Sequence, residues 1–549
     1  MQLIHQNFIL SIINSKIKTS ADFSNLKKKF YSQNKSPQPT NADLREEYER
    51  MIKQRKIKRN TELEKAMQSR GVRTASGVAV VAVLTRPSDC PGKCLYCPTE
   101  KDMPKSYLSN EPAVMRAIAN KFNPYRQVQS RLKALELNGH ITDKIELIVM
   151  GGTFSYFPKA YQKKFITECF RAANEYSVGK NNELRIKNQE KDTPNNKLFK
   201  EQKRNEKTKH RIIGLTLETR PDYIDAKEIK NFRLLGCTRV ELGVQSIFDD
   251  VLELNKRGHS ISETIRATKL LKDAGFKINY HIMPGLLGST IKRDIEMFRQ
   301  LFTDQDFQPD MLKIYPTVVI KDSELYAVWK KGDYKPLTDK KFEKLIIEIK
   351  NKIIPPYVRI ARLVRDVPTP SIEAGPIVSN MRQIVAEKAA CRCIRCREVR
   401  ADYDITENII LDRIDYDASG GKEIFLQFVS EDKNKLFALL RLRLPRTTPP
   451  HSRGGGWEGV LYEQLPVLKN SAIIREVHTY GKLAQINQHD KSSPQHIGLG
   501  KKLIQEAEKI ARKEFGAKKI AIISGIGVRG YYRKQGYRLQ NTYMVKNLK

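Results

Sequence analysis

Apolar residues along this chain follow two patterns, and the change from one to the other marks its main division. From Val78 onward, short and nearly continuous apolar runs recur: VAVVAVLT from Val78, ELIVMGG from Glu146, IIGLTLET from Ile212, RVELGVQS from Arg239, KINYHIMPG from Lys277 and MLKIYPT from Met311. Helix-periodic stretches lie between them, as at Glu111 to Leu137 and Ile261 to Ala274. Runs without polar alternation are strands buried on both faces, and strands alternating with helices build a covered parallel sheet. Six such units predict an α/β fold with a partial (β/α)6 barrel. Chemistry in such barrels sits in the loops after the strands' C-terminal ends. Polar motifs stand at those ends: Gly151-Gly152-Thr153, Glu218-Thr219-Arg220 and Gln245-Ser246.

Beyond about residue 400 the pattern changes. EIFLQFV from Glu423 and KLFALLRLRLP from Lys435 read as an antiparallel pair, and AIIREVHTYG from Ala472 as a further strand. QHIGLG, Gln495 to Gly500, then opens a helix expected to reach about Phe515, followed by the strand KIAIISGIG and the aromatic segment GYYRKQGY, Gly530 to Tyr537. A Q-x-x-G-x-G turn at a helix start aims free backbone N–H groups at an anion, and a pyrophosphate fits there. Gly498 and Gly500 allow the close approach that a side chain would block.

The composition excludes some classes. With 549 residues, 40% hydrophobic and 8% aromatic, the chain has material for several packed domains and is not globally disordered. The longest clean apolar run, Val78 to Leu84, has seven residues, against roughly 20 for a spanning helix. The N-terminal MQLIHQNFIL lacks the basic region and cleavage site of a secretory signal. A cytoplasmic protein without membrane contact is expected. The 99 Lys and Arg against 62 Asp and Glu leave a net charge of +37, which points to a polyanion partner, most simply nucleic acid. RMIKQRKIKR, Arg50 to Arg59, carries six basic and no acidic residues and reads as an RNA-contacting arm rather than a solvated helix face.

Six of the eight cysteines form two triplets, Cys90, Cys94, Cys97 and Cys391, Cys393, Cys396. A disulfide framework would spread its cysteines, whereas each triplet suits one metal centre in a reducing compartment. Cys169 and Cys237 lie in apolar stretches and are expected to be core thiols. In the first triplet, spaced C-x3-C-x2-C, three thiolates hold three corners of a [4Fe-4S] cluster and leave one iron open to the amino and carboxylate groups of S-adenosylmethionine. The competing reading is a structural zinc site completed by a distant His. For CRCIRC the expected metal is zinc with an unidentified fourth ligand, in a clasp between domains, and a second cluster is the alternative.

Together the two triplets, QHIGLG and YYRKQGY, with GVAVVAVLTRP, EPAVMRAI, DKIELIVMGGTF, ETRPDYI, RVELGVQS and REVHTYG, resemble the catalytic subunit of Elongator, the tRNA uridine carboxymethyl synthase family, from about Val72 to the C-terminus. The resemblance implies a radical S-adenosylmethionine barrel, a zinc-binding linker and a GNAT-like α+β acetyltransferase domain. It implies an acyltransferase that uses acetyl-CoA to place a carboxymethyl group on carbon 5 of the wobble uridine of tRNA. A radical taken from S-adenosylmethionine removes hydrogen from the acetyl methyl, the carbon adds to uracil, and thioester hydrolysis follows. By resemblance Cys90, Cys94 and Cys97 hold the cluster. Acetyl-CoA meets Lys144, Glu476, Val477, His478, Thr479, Leu499, Gly500, Lys501 and Tyr532, of which Lys144, His478 and Tyr532 are the catalytic candidates; Tyr531 is expected to pack. The compact first triplet suits a bacterial or archaeal member acting without the eukaryotic Elongator subunits, and a homodimer is allowed.

The expected divisions are a basic tRNA-binding extension at 1–71, the radical domain at 72–372, a metal-binding linker at 373–400 and the acetyltransferase-like domain at 401–549. Gly179 to His210, rich in Lys and Asn, is expected to be a disordered surface loop. Two rival classes stay open on the sequence. One is a protein lysine acetyltransferase with a structural barrel, which would transfer acetyl without S-adenosylmethionine. The other is a tRNA-binding scaffold, which would turn over no acetyl-CoA.

Overall fold

A computed structural model of the chain describes residues 2–15, 17, 19–68, 77–176, 193–400, 407–445, 457–481 and 498–548. Among them no helix is long and apolar enough to cross a membrane. Seven strands, β1 (Ala79–Leu84), β2 (Lys144–Met150), β3 (Arg211–Thr219), β4 (Arg239–Gln245), β5 (Lys277–Ile282), β6 (Met311–Ile314) and β7 (Arg359–Arg362), make one sheet in that spatial order. Every neighbouring pair is parallel. The six apolar runs are all present as strands, and β7 is an addition. Its sequence, RIAR, offers no apolar run, and pairing with β6 extends it. Cys169 and Cys237 are fully buried in the core, as expected.

Two local readings differ from the sequence pattern. The periodic stretch from Glu111 to Leu137 is two helices, Pro112–Ala119 and Pro124–Leu137. Pro124 has no N–H with which to continue a helix, and the Asn123 side chain caps the new one by accepting from the Arg126 amide. Within the segment expected to be a loop lies the helix Pro194–Asn205, capped by Thr193, with Leu198, Gln202 and Asn205 buried. Its polar composition hid a helix that buries a single narrow face. Positions 71–72, 179–192 and 401, and the first half of the QHIGLG turn at 495–497, lie outside the described residues.

The N-terminal helices Gln2–Ile12, Ser20–Gln33, Asn41–Lys53 and Thr61–Ala66 enclose a core of their own, built on Phe8, Phe23, Tyr31, Leu44, Tyr48 and Met51. Thr19 with Asp22, and Thr40 with Asp43, start two of these helices with reciprocal capping boxes.

A second sheet contains β8 (Ile409–Ala418), β9 (Gly421–Ser430), β10 (Leu436–Pro445), β11 (Ser471–Thr479), β12 (Lys519–Ile522), β13 (Arg538–Gln540) and β14 (Tyr543–Asn547), in the order β13-β14-β12-β11-β10-β9-β8. Only β11 and β12 run parallel, pairing from Ser471 opposite Lys519 to Ile474 opposite Ile522. Past Ile474, β11 continues to Thr479 with β10 as its partner on one side.

The two sheets meet through buried charge. Arg475 is an extra residue in β11, because Arg441 faces Glu476 while Leu442 faces Ile474. A bulge of this kind re-aims a side chain. The Arg475 guanidinium reaches the barrel, donating to both Asp310 oxygens at 2.5 and 2.8 Å and to the Phe276 carbonyl at 2.7 Å, and also meets Glu423 at 2.9 Å. Arg443 bridges Asp273 and Glu423, while Arg441 joins Glu476 to the Tyr357 carbonyl. Lys272 lies 3.7 Å from Asp310 and 3.9 Å from Glu423. Burial would raise the Asp310 carboxyl, but Arg475, Lys272 and Arg441 hold it well below the usual carboxylate range. Burial lowers the Lys272 ammonium to about 8, against the pull of Asp310 and Glu423.

Removing one partner of such a set leaves an uncompensated buried charge. Arg475→Met is therefore expected to destabilise the fold by about 3–5 kcal/mol, read from urea denaturation. Lys272→Met should cost less, because no hydrogen bond reaches its Nζ. The folded state binds the Lys272 proton less tightly than the unfolded chain does. Stability should therefore rise with pH between about 8 and the ordinary 10.5, and Lys272→Met should remove that rise. A Lys272→Met cost equal to that of Arg475→Met would contradict this ranking.

Candidate functional site

Cys90, Cys94 and Cys97 lie in the loop after β1, at the C-terminal face of the barrel. The Gly92 amide donates to Cys90 Sγ at 3.4 Å, and Arg257 Nη1 donates to Cys94 Sγ at 3.3 Å. Burial and the neighbouring Cys94 and Cys90 thiols push the Cys97 thiol up to about 11. Binding a cluster through Cys97 would therefore release a proton from that thiol. Around the same mouth the buried Tyr96 hydroxyl, Gln245 Oε1 and Arg220 Nη1 have no hydrogen-bond partner. Three thiols in one loop with unpaired polar atoms nearby fit a cluster with a polar ligand on its open side.

Below that mouth the barrel interior carries charge, which the sequence analysis missed. Glu241 lies 2.9 Å from His281 Nε2 and accepts from Asn279 at 3.1 Å. Lys313 contacts Glu241 and lies 3.7 Å from Glu218, whose other oxygen accepts from the Tyr107 hydroxyl at 2.8 Å. Burial would raise the Glu241 carboxyl, but Lys313, then His281 and Arg239, hold it well below its ordinary value. Glu218, Glu241 and His281 are close enough to share a metal ion, yet the Lys313 ammonium already provides the cation. The available signal was the single charged residue inside several apolar strand runs, as in RVELG and MLKI.

The second site lies in the second sheet. Gly498, with φ of +82°, starts the helix Leu499–Lys513, and among the described residues no side chain caps it. A Cβ on Gly500 would lie 3.3 Å from the Tyr531 hydroxyl, 3.4 Å from Thr479 Oγ1 and 3.8 Å from Val477 Cγ1. The fold thus brings Val477, Thr479, Gly500 and Tyr531 together where β11 has lost β12, with Leu499 and Lys501 flanking Gly500 in the helix. Sequence reasoning placed Tyr532 in the site and had Tyr531 packing. In the structure Tyr532 is 7% exposed, in edge contact with Tyr531 and Tyr537, and the Tyr531 hydroxyl faces Gly500. Glu476 is engaged by Arg441 at 2.9 Å and by Lys277 at 3.6 Å. Burial opposes its charge, but Lys277 and Arg441 bring its carboxyl down to about 2. The His478 ring stacks on Tyr480 at 4.2 Å between centroids. Lys144 begins β2 opposite Arg211, against which Gly527 of the second sheet's domain packs. Burial lowers its ammonium from the ordinary value.

Residues 86–301 match the family model of the Radical SAM superfamily, and residues 309–390 match the Radical_SAM C-terminal domain. A tRNA uridine(34) acetyltransferase of Methanocaldococcus infernus is 45% identical over 500 residues, covering 88% of each chain. One from Dehalococcoides mccartyi is 42% identical over 87% of this chain and 99% of its own. Elongator complex protein 3 of Homo sapiens is 38% identical over 88% of this chain and 86% of its own. A solved structure of the archaeal Methanocaldococcus infernus Elp3 with an N-terminal deletion has 41% identity and a TM-score of 0.69, covering 86% of this chain and all 100% of that one. The chain belongs to the Elongator complex protein 3 family. As a radical SAM enzyme it uses a [4Fe-4S] cluster and S-adenosylmethionine, and its residues 86–301 include the loop that carries Cys90, Cys94 and Cys97.

The second triplet in this member of the Elongator complex protein 3 family is built differently. The sulfurs of Cys391, Cys393 and Cys396 all lie within 4.8 Å of one another. Tetrahedral zinc with bonds of about 2.3 Å would need sulfurs roughly 3.8 Å apart. Among the described residues no fourth ligand joins the group. The segment bonds to both sheets' domains: the Ile394 amide to the Val358 carbonyl, the Val399 amide to the Leu436 carbonyl, and Arg397 to both the Pro356 carbonyl and Gln427.

Cys94→Ala removes one corner ligand of the first site. Anaerobic reconstitution should then yield no brown iron–sulfur chromophore and no S-adenosylmethionine cleavage, with the zinc or iron content of the second triplet unchanged. Retained cleavage would contradict the assignment.

Proposed function

We propose that this chain is a tRNA-modifying enzyme that converts the wobble uridine to its 5-carboxymethyl form, taking the new carbon unit from acetyl-CoA. The observation that carries this reading is the pairing, in one chain, of a three-thiol loop on one sheet with an uncapped helix N-terminus facing a half-paired strand on the other. The names of its relatives, tRNA uridine(34) acetyltransferase and Elongator complex protein 3, support the same reading. The bound cluster and S-adenosylmethionine supply a hydrogen-abstracting carbon radical.

The chain's own residues bind and orient the rest. Free N–H groups from Leu499 to Lys501 receive the CoA pyrophosphate at the positive end of the helix. The β11 backbone from Val477 to Thr479, without β12 beside it, pairs with the amides of the CoA arm. Lys144 offers a cation to a CoA phosphate, and His478 and Tyr531 line the acetyl pocket, with Tyr532 packed behind. This sheet then acts as a GNAT-like acetyltransferase domain, and the second triplet as a zinc clasp between the domains. Transfer RNA is met by the N-terminal helices. There Arg50 and Arg59 are engaged by Glu47, Glu49 and Glu64, while Lys53, Arg55, Lys56 and Lys58 are exposed. With both sites in one chain, the enzyme works in the cytoplasm without further Elongator subunits.

Gly500→Trp tests the link between the sites, because the indole would fill the space shared by Tyr531, Thr479 and Val477. Calorimetry should show acetyl-CoA binding lost, while the cluster chromophore survives and tRNA affinity stays within about threefold, roughly 0.7 kcal/mol. Nucleoside mass spectrometry should find no modified uridine. Modification at the unsubstituted rate would place the acyl donor elsewhere.

A further inference from the structure

Arg257 lies beneath the cysteine loop and is 6% exposed. Its hydrogen-bond partners among the described residues are Cys94 Sγ at 3.3 Å and the Gly243 carbonyl at 2.5 Å, its Nε has none, and Tyr96 and Asp222 act on it by charge alone. A buried guanidinium ordinarily sits against a carboxylate, because taking its charge out of water is costly without an anion. The neighbouring Arg220 follows that rule, with Nε and Nη2 on Asp222 at 2.9 Å. Arg257 instead points at a cysteine. His259 adds no competing charge, since burial and then Arg257 and Arg220 hold its imidazole neutral at ordinary pH.

We propose that Arg257 is a positioning residue that sets the reduction potential of the cluster held by Cys90, Cys94 and Cys97. The inference rests on the cluster reading given above and adds to it a role for a residue that is not a ligand. Reduction adds one electron to the cluster and hence one negative charge. A buried cation donating a hydrogen bond to a ligand sulfur stabilises that added charge, and hydrogen bonds to sulfur and local charge are among the factors that set such potentials. Arg257 thereby makes the reduced form, which S-adenosylmethionine cleavage requires, easier to reach.

The test uses the full-length chain reconstituted anaerobically, with iron content measured first and the potential then read by an EPR-monitored redox titration. Arg257→Met should load iron and shift the one-electron equilibrium at least tenfold toward the oxidised form, about 59 mV to lower potential. Arg257→Lys keeps the charge and should lie between Met and the unsubstituted protein. A loaded Arg257→Met protein within twofold of the unsubstituted equilibrium, about 18 mV, overturns the inference. If Arg257→Met takes up no iron, Arg257→Gln keeps a donor without the charge and is held to the same tenfold shift. If neither variant loads, the arginine serves cluster assembly and the inference also fails. An unsubstituted chain that takes up no iron in the first triplet would instead remove the cluster reading itself.

Discussion

The buried ion pair between Arg475 and Asp310 is the constraint on which the rest of the structure depends. Asp310 precedes the first residue of β6, and Arg475 is the bulged residue of β11, so the pair pins one strand of each sheet to the other. The residues that follow Arg475 are those proposed to line the acyl pocket. Glu476, the first of them, is itself held by Lys277 at the start of β5. Sliding β11 by one residue would take Arg475 away from Asp310 and Glu423, and Glu476 away from Arg441 and Lys277. Non-polar packing tolerates small shifts, but a set of buried charges has one good register. A second contact works by shape: an added Cβ on Gly525 would overlap the Ile213 carbonyl, so the backbones of the two domains touch. The barrel therefore uses its N-terminal face for docking and keeps its C-terminal face for the cysteine loop.

Much of this was legible in the sequence, for a physical reason. A strand buried on both faces must be apolar throughout, so six barrel strands and β9 to β12 of the second sheet announced themselves, whereas β8, β13 and β14 did not. Cysteine triplets are legible because metal geometry demands close spacing. What stayed hidden was charge placed inside. Arg441 and Arg443 alternate with leucines in KLFALLRLRLP, the pattern of a strand with one wet face, yet both are buried against the other domain. Their partners Asp273 and Asp310 are far away in sequence, and local periodicity carries no trace of the pairing. Glu241 and Lys313 inside the barrel were missed for the same reason. Tyr531 and Tyr532 share a helix only five residues long, Arg529–Arg533, too short for periodicity to say which of them faces Gly500.

The net charge of +37 also divides along this line. At the domain boundary Arg441, Arg443 and Arg475, and in the barrel Lys313, are matched by carboxylates. The excess lies outside, as in the exposed cations after the helix Asn41–Lys53, where a polyanion would find them. Balanced charge in the interior specifies how the domains fit, and the proposed function gives the surplus on the surface to tRNA.

The central proposal is that one chain uses both a radical made at its cysteine loop and the methyl group of acetyl-CoA. The most direct measurement supplies the reconstituted protein with tRNA, S-adenosylmethionine and acetyl-CoA deuterated at the methyl, and examines the 5′-deoxyadenosine by mass spectrometry. The account predicts a single deuterium in the 5′-deoxyadenosine, together with labelled carboxymethyl on the wobble uridine. Unlabelled 5′-deoxyadenosine formed alongside modified uridine would show that hydrogen is taken from elsewhere, and would contradict the account.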